Sequence, residues 1–491
     1  MTDVPERWQL DAGHSASRLI AGLWQVADME KAGVALDPDK AADALAAYAA
    51  AGFDTFDMAD HYGSAELIAG RLLARYRGQG TRPLAFTKWC PAPGEMTAEI
   101  VRRGVEERLA RLGVDRIDLL QFHWWSFAHP AWLDALHRLA ELRAEGLINA
   151  IGLTNFDAAH LHLALADGIP IATNQVSFSL LDRRAAGPLS GLCRATGVKL
   201  LAYGTLCGGF LSEKWLGRPA PDAISDWSRS KYRRFIDAAG GWDAFQGVLA
   251  AAAEIARKHG VSVANVATRW VLDHGSVAGV IIGARLGERE HRADNLKVFD
   301  FALDAEDRAR LDVAFASTTP IPGDCGDEYR RPPFLTATGD LSQHLDAMPS
   351  IYAAEPVPGA QDGRRRVSSG TVWEGLAGYS RALRIGDVIH VAGTTATDPA
   401  GRAIAPGDAA AQATYILDKI EAAIVALGGR MADVVRTRVF LRDIGDWEPV
   451  SRAHGRVFAD IRPVNTLLAV DRLVGEYLVE IEAEAIVPRG G

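Results

Sequence analysis

Cysteine is scarce in this chain: Cys90, Cys193, Cys207 and Cys325 are the only four in 491 residues, and they fall far apart. Such spacing predicts neither a disulfide framework nor a zinc-binding knuckle, and it fits a reducing, cytoplasmic setting. Long apolar runs are missing too. The alanine-rich stretch 41–51 is interrupted by Asp43 and falls short of the roughly 20 apolar residues needed to cross a bilayer, so no membrane span is expected. The opening Met-Thr-Asp-Val-Pro-Glu-Arg has neither a basic region leading into an apolar one nor a transit-peptide character, so no export signal is read there. Positive charge is not in excess either. A net charge of -9 speaks against a nucleic-acid partner, which needs a concentrated basic face. The short basic run Arg364–Arg366 is read as a solvated joint between domains. Also absent is the Gly-rich GxGxxG turn that an open doubly wound dinucleotide fold carries after its first strand.

What is present is length and alternation. A chain of 491 residues exceeds what one ordinary core organises, so two domains are expected. From about residue 18 to 315, short β-branched runs alternate with amphipathic stretches, the pattern of βα units around a parallel sheet. The expected strands are 20–24, 55–57, 84–88, 117–122, 150–153, 171–174, 199–203 and 279–282. Asp37-Pro38 caps a helix that stops at Gly52, and Thr97 caps one that stops at Gly113. Such units close into a (β/α)8 barrel, assigned to residues 1–348. The Pro/Gly-rich polar stretch 349–366 is expected to be a linker. Beyond it, 367–491 is expected to form a smaller α+β domain with a strand pair within 381–392, helices 409–427 and 447–459, and strands 434–441, 466–470 and 478–486. In the last strand Val479, Ile481, Ala483 and Ala485 alternate with Glu480, Glu482 and Glu484, so one face is buried and the other wet.

In barrel enzymes the loops at the C-terminal strand ends carry function. Asp57, Lys88 and His123 end successive expected strands, and Tyr62 follows Asp57 in its loop. This set suits proton delivery to a carbonyl oxygen while a hydride reaches its carbon. A phenol, with an ordinary pKa of about 10, is a poor acid at neutral pH, and an ammonium beside it favours its ionised form. Lys88 fills that role, and Asp57 keeps the lysine charged against desolvation. His123 then orients and polarises the carbonyl. Taken singly, His123 reads as a structural histidine and Asp57–Lys88 as a structural ion pair. Their shared placement favours catalysis. His61 and His129 are read as bystanders, and Trp24, Trp89, Trp124 and Trp125 as either walls of an aromatic substrate pocket or core residues.

The run Phe56-Asp57-Met58-Ala59-Asp60-His61-Tyr62-Gly63-Ser64-Ala65-Glu66, followed by Thr87-Lys88 and Leu120-Gln121-Phe122-His123, resembles the signature of the aldo-keto reductase superfamily over residues 15–315. The resemblance implies a small carbonyl or alcohol substrate and NADP(H) as coenzyme, with NAD(H) as the alternative. It also implies positions. Thr154, Asn155 and Gln175 would bind the nicotinamide carboxamide, Tyr203 would stack on its ring, and Gly204, Thr205 and Leu206 would follow the pyrophosphate. Ile282, Gly283, Ala284, Arg285, His291, Asp294 and Asn295 match the adenosine end, with Arg285 toward a 2'-phosphate and Arg289 and Arg292 nearby. Gly22, Trp24 and Gly208 are assigned to the same groove. His291 departs from the family by standing where many NADPH-specific members place a second arginine.

Residues 367–488 resemble the RidA (YjgF/YER057c/UK114) family through Gly378-Tyr379-Ser380-Arg381, Gly386-Asp387-Val388-Ile389, Arg438-Val439-Phe440-Leu441 and Val479-Glu480-Ile481-Glu482-Ala483. That resemblance implies a chorismate-mutase-like fold and a homotrimer with clefts between subunits, lined here by Tyr379, Asn465 and Glu480. In the deaminase branch an arginine matches Asn465, and a neutral amide does not replace a bidentate guanidinium clamp. An assembly or ligand-binding role is therefore favoured over enamine or imine hydrolysis. A nucleotide-binding sensor is the reading from another class, and the complete set of Asp57, Tyr62, Lys88 and His123 favours an enzyme over it.

Overall fold

The computed structural model describes residues 4–286, 291–330, 344 and 347–488. A hairpin of β1 (Arg7–Gln9) and β2 (Ser15–Ser17) comes first. Then follow β3 (Leu19–Gly22), β4 (Thr55–Asp57), β5 (Leu84–Trp89), β6 (Ile117–His123), β7 (Ile148–Thr154), β8 (Ile171–Ser177), β9 (Lys199–Tyr203) and β10 (Val277–Gly283). These eight close into a barrel in the order β10-β3-β4-β5-β6-β7-β8-β9, every neighbouring pair parallel. Parallel strands need covered faces, and helices between them supply the outer cover. The expected caps are present: Asp37 accepts from the amides of Asp39 and Lys40, Thr97 accepts from that of Ile100, and Gly113 is left-handed.

Alternation along the strands decides what faces inward. On β5, Leu84 and Phe86 join Ile20, Leu119 and Leu201 in the barrel's interior, with Trp8 of the hairpin packed against them. Lys88 is the next inward position, at the C-terminal end. Thr87 and Trp89 point the other way: the Thr87 hydroxyl donates to Glu66, and the Trp89 ring lies against Gly104 of helix Ala98–Leu112.

The second sheet is seven-stranded, in the order β11-β12-β13-β14-β17-β15-β16. Its strands are β11 (Glu355–Pro356), β12 (Arg365–Val367), β13 (Ala382–Ile385), β14 (Val388–Thr395), β15 (Val434–Leu441), β16 (Val464–Ala469) and β17 (Val479–Ile486). The stretch expected to be a linker thus carries β11 and β12, and Arg365 and Arg366 of the basic run pair across to Arg384 and Leu383. The sequence hid this because β12 is short and highly charged. Part of the tail read as aperiodic up to His344, 331–343, lies outside the described residues.

Helix Ala409–Ala426 is buried almost all round. A helix of that kind is covered on more than one face. One face packs on β14 and β17, and the other meets the barrel helix Ala158–Ala166. Across that contact His160, buried, directs Nδ1 to Asp157 Oδ2 at 2.6 Å and Nε2 to Asp418 Oδ2 at 3.1 Å. His162 meets Asp408 at 2.7 Å, and Asp167 accepts from the Ala405 amide at 2.8 Å and from Arg402. Burial alone would pull the His160 imidazole down, but Asp157 and Asp418 together lift it above its ordinary value. Asp157 moves oppositely: burial raises it, and His160 with Arg456 more than reverses that.

The signs set a pH window for domain docking. A raised histidine stabilises fully below its unfolded pKa of about 6.5, and the contribution is lost as pH climbs through the folded value. The lowered Asp157 contributes above its unfolded value of about 3.9, and its share is lost as pH falls toward the folded one. Thermal unfolding is therefore expected to show a falling Tm as pH rises beyond about 6.5. In His160→Ala the alkaline part of that slope flattens and about 3–5 kcal/mol is lost, because two buried carboxylates lose their shared cation.

Candidate active site

Asp57, Lys88 and His123 reach the barrel mouth because each is an inward-facing residue at a strand's end. Lys88 Nζ donates to Asp57 Oδ2 at 2.6 Å and to the Met58 carbonyl at 3.0 Å, and both side chains are buried. Asp57 Oδ1 accepts from Gln121 Nε2 at 3.0 Å and Gln175 Nε2 at 2.7 Å, and Gln175 Nε2 also donates to Gln121 Oε1 at 2.8 Å. Both carboxylate oxygens thus accept charge-assisted bonds, the condition under which a buried ion pair is tolerated. Lys88 Nζ lies 5.0 Å from the centre of the Tyr62 ring.

The loop holding Tyr62 is braced on several sides. Asp60 accepts from the Cys90 amide at 2.9 Å through one oxygen and meets His61 Nδ1 at 3.0 Å through the other. Burial would raise the Asp60 carboxyl, but His61 and Arg108 hold it below its ordinary value. Burial beside Asp60 also pushes the Cys90 thiol up to about 11, which keeps it neutral. Gly63, at φ 55°, stands where a Cβ would collide with the Glu30 carboxylate, and that carboxylate binds Ser64. His61, expected to be a bystander, lies 4.8 Å from Tyr62 ring to ring, and Trp24 meets the same phenol edge-on at 4.9 Å.

Asp57, Tyr62, Lys88 and His123 line one cavity of about 480 Å3 together with Trp24, Trp125 and Tyr329. Gly22, Thr154, Asn155, Gln175, Tyr203, Gly204, Thr205, Leu206, Gly208, Ile282, Gly283, Arg285, His291, Asp294 and Asn295 line its extension. Ala284, by contrast, is buried in the core beside Leu286 and Leu23, and Arg289 lies outside the described residues. Arg292 lies over the Tyr48 ring, 4.9 Å from its centre.

The groove fits a nicotinamide dinucleotide on its own chemistry. Thr154 Oγ1 is buried without a hydrogen-bond partner among the described residues, a polar atom waiting for a ligand. Asn155 beside it is left-handed, at φ 59°, and its Oδ1 accepts from the Tyr203 hydroxyl at 2.8 Å. Gly204 and Gly208 are also left-handed, and a Cβ at either would strike Tyr232, so both positions on this wall require glycine. Arg285 meets Asp226 at 2.7 Å across this end.

Two of the four tryptophans wall the cavity and two do not. Trp24 and Trp125 line it, Trp125 lying 4.4 Å from His123 ring to ring. Trp89 and Trp124 occupy outward positions and pack against Phe122 at 5.8 Å and 5.9 Å, within the layer between strands and helices. Strand alternation is the reason: both neighbour an inward residue in sequence. The sequence reading missed Gln121, although its place two residues before His123 on one strand face was a usable signal. It also missed Lys231 and Tyr329. Lys231 bonds the Tyr329 hydroxyl and lies 5.1 Å from the centre of the Tyr203 ring. Tyr329 is carried into the mouth, 5.5 Å from His123, by a segment tied down through Glu328–Arg184 at 2.8 Å.

A family model described as the aldo/keto reductase family matches residues 18–315, the full extent of the barrel. The chain belongs to the aldo/keto reductase family. Among aldo/keto reductase structures it resembles the glycerol dehydrogenase of Gluconobacter oxydans, at 26% identity and TM-score 0.54, over 66% of this chain and 98% of that one. It is also 37% identical to flagellar radial spoke protein 5 of Chlamydomonas reinhardtii over 32% of this chain, and it spans about a third (34%) of that protein's length. The remainder, 372–487, matches the family model described as endoribonuclease L-PSP, the RidA family. A RutC family protein of Pyrococcus abyssi is 32% identical over 22% of this chain and 84% of its own length. Alongside the reductase barrel, Tyr379 accepts from Arg381 Nη2 at 3.0 Å, and Glu480, raised by burial and by Glu482, packs against Gly393. Asn465 sits apart from them on β16, bonded to Thr437 at 3.3 Å. Among the described residues, no helix is long and apolar enough to cross a membrane.

Proposed function

We propose that the barrel reduces an aldehyde or ketone to an alcohol, or catalyses the reverse, with NADP(H) as the preferred coenzyme. The observation that carries this is the convergence of Asp57, Lys88, Tyr62 and His123 on a cavity continuous with the groove of Thr154 and Asn155. When bound, the coenzyme supplies the hydride. The chain's own residues govern the proton. Asp57 holds the Lys88 ammonium charged, the ammonium beside the phenol favours its ionised form, and Tyr62 releases its proton to the carbonyl oxygen. His123, on the same wall, donates to that oxygen and fixes its position. Trp24, Trp125 and Tyr329 exclude water from the reacting carbon and favour an apolar substituent there.

A screen of aldehydes and alcohols, following absorbance of the reduced coenzyme in both directions, tests the activity. Turnover supports it, and tight NADPH binding without turnover of any carbonyl would favour a sensor instead. Arg285 is proposed to meet the 2'-phosphate by exchanging Asp226 for it. Arg285→Ala is then expected to raise KM for NADPH about tenfold while leaving that for NADH within about twofold, consistent with a charge-assisted bond of about 1.5–3 kcal/mol.

For the RidA domain we propose trimerisation in the cytoplasm, with barrels at the periphery. Helix Ala409–Ala426 covers one face of its sheet, while the other carries an open hollow lined by His390, Arg436, Arg438, Glu482 and Glu484. An uncovered face of this kind suits a second copy. With Asn465 in place of the clamp arginine, a binding role is favoured over hydrolysis. Sedimentation of the full chain reads the state directly: a trimer supports the proposal, and a monomer at micromolar concentration removes it.

A further inference from the structure

The second domain touches the barrel at the base of the loop that carries the carboxamide corner of the coenzyme groove. β7 ends on Thr154, Asn155 follows, and only Phe156 separates it from Asp157, the N-cap of helix Ala158–Ala166. Asp157 spends Oδ1 on the His160 amide at 2.9 Å and Oδ2 on His160 Nδ1 at 2.6 Å. The other ring nitrogen of His160 reaches Asp418 on helix Ala409–Ala426 at 3.1 Å, and Arg456 Nη1 of helix Trp447–Phe458 stands 4.0 Å from Asp157 Oδ2. Both outer partners of this buried Asp–His pair come from the RidA domain.

A second path leads from the same imidazole to the same corner. His160 stacks on Phe127 with ring centres 3.6 Å apart and planes 13° apart. The Arg330 guanidinium covers Phe127 at 4.2 Å, and it donates to the Asn155 carbonyl and, at 2.8 Å, to the Trp124 carbonyl. Asn155 therefore sits where two routes from His160 meet. Asn155 holds a left-handed backbone, a conformation that depends on the contacts around it.

We propose that Asp418 and Arg456 of the RidA domain are positioning residues for the barrel's coenzyme site, acting through His160, Asp157 and Arg330 on the conformation of Thr154–Asn155. This rests on the reductase reading. Without Asp418 the buried imidazole loses an acceptor, the ring turns from its stack on Phe127, and the loop relaxes from the geometry that presents Thr154 Oγ1 and the Asn155 amide to the carboxamide. The RidA domain thereby becomes a structural part of the reductase.

The test uses the full chain and NADPH as the probe. Asp418→Ala is expected to raise the Kd for NADPH about tenfold, a coupling of the size seen between residues in one hydrogen-bonded network. Asp418→Asn, which keeps an acceptor without the charge, gives a smaller rise, and Arg456→Gln a rise in the same direction. In an Asn155→Ala background Asp418→Ala adds less than about twofold, because the affected contact is already gone. A general loss of stability would instead add fully in that background. Hydrogen exchange without coenzyme supplies the second readout: the amides of 155–157 exchange faster in Asp418→Ala. Unchanged exchange, or unchanged affinity where the parent protein binds NADPH, overturns the proposal alone. A parent protein that binds neither NADPH nor NADH overturns the reductase reading and this proposal together.

Discussion

Tyr62→Phe is expected to lower kcat/KM for carbonyl reduction by about a thousandfold, within the 10²–10⁴ range typical of losing a general acid, while the Kd for NADPH stays within about twofold. The substitution removes one oxygen from a ring packed against Trp24 and His61, so the brace formed by Asp60, Gly63 and Ser64 is undisturbed and the fold remains. The loss falls on kcat rather than on substrate KM, because the missing interaction belongs to the transition state. Equal losses in coenzyme affinity and turnover would indicate a packing role for the ring.

Lys88→Met carries the second large effect, and it has two parts that separate. Activity falls at least as far as in Tyr62→Phe, since the phenol no longer has a cation 5.0 Å from its ring centre. Stability also falls, by about 3–5 kcal/mol, because Asp57 keeps its buried charge against the neutral amides of Gln121 and Gln175. In the double variant Lys88→Met/Asp57→Leu the charge is removed altogether. Buried ion pairs replaced as a unit by apolar groups often recover stability or gain it, so urea unfolding of the double variant is expected to return most of the loss. Activity does not return. A pair that merely held the barrel together would lose and regain the two properties in step.

The barrel was legible because its period is local. Alternating strand and helix signals, caps at Asp37 and Thr97 and the inward positions Asp57, Lys88 and His123 all depend on residues close in sequence. The expected C-terminal ends fall one residue short in β5, β6, β7 and β10 and three short in β8, run two residues too far in β3, and match in β4 and β9. Of the two readings open for the tryptophans near strand ends, pocket wall or core, Trp89 and Trp124 take the core one, since neighbours of an inward residue face outward. The same rule, applied consistently, would have placed Gln121 beside Asp57. The short charged strands β11 and β12 gave no periodic signal at all.

Other parts depend on contacts between distant segments. Tyr329 and Arg330 come from a stretch without periodicity, yet one faces His123 and the other holds the Asn155 carbonyl. His160 reads in sequence as one of two histidines in an alanine- and leucine-rich helix. Its partner Asp418 lies 258 residues away on what looks like an ordinary amphipathic helix of another domain. Neither pattern carries information about the pairing, which exists only once both domains have folded and docked.

In the proposed reaction hydride reaches a carbonyl carbon in this barrel while Tyr62 protonates the oxygen. It is tested most directly by supplying reduced coenzyme deuterated at its transferable position with an aldehyde that the protein turns over, then locating the label in the product by NMR. Deuterium is expected on the carbinol carbon with the parent protein and almost none with Tyr62→Phe. Label retained on the coenzyme while alcohol forms, or transfer by Tyr62→Phe at the parent rate, would contradict it.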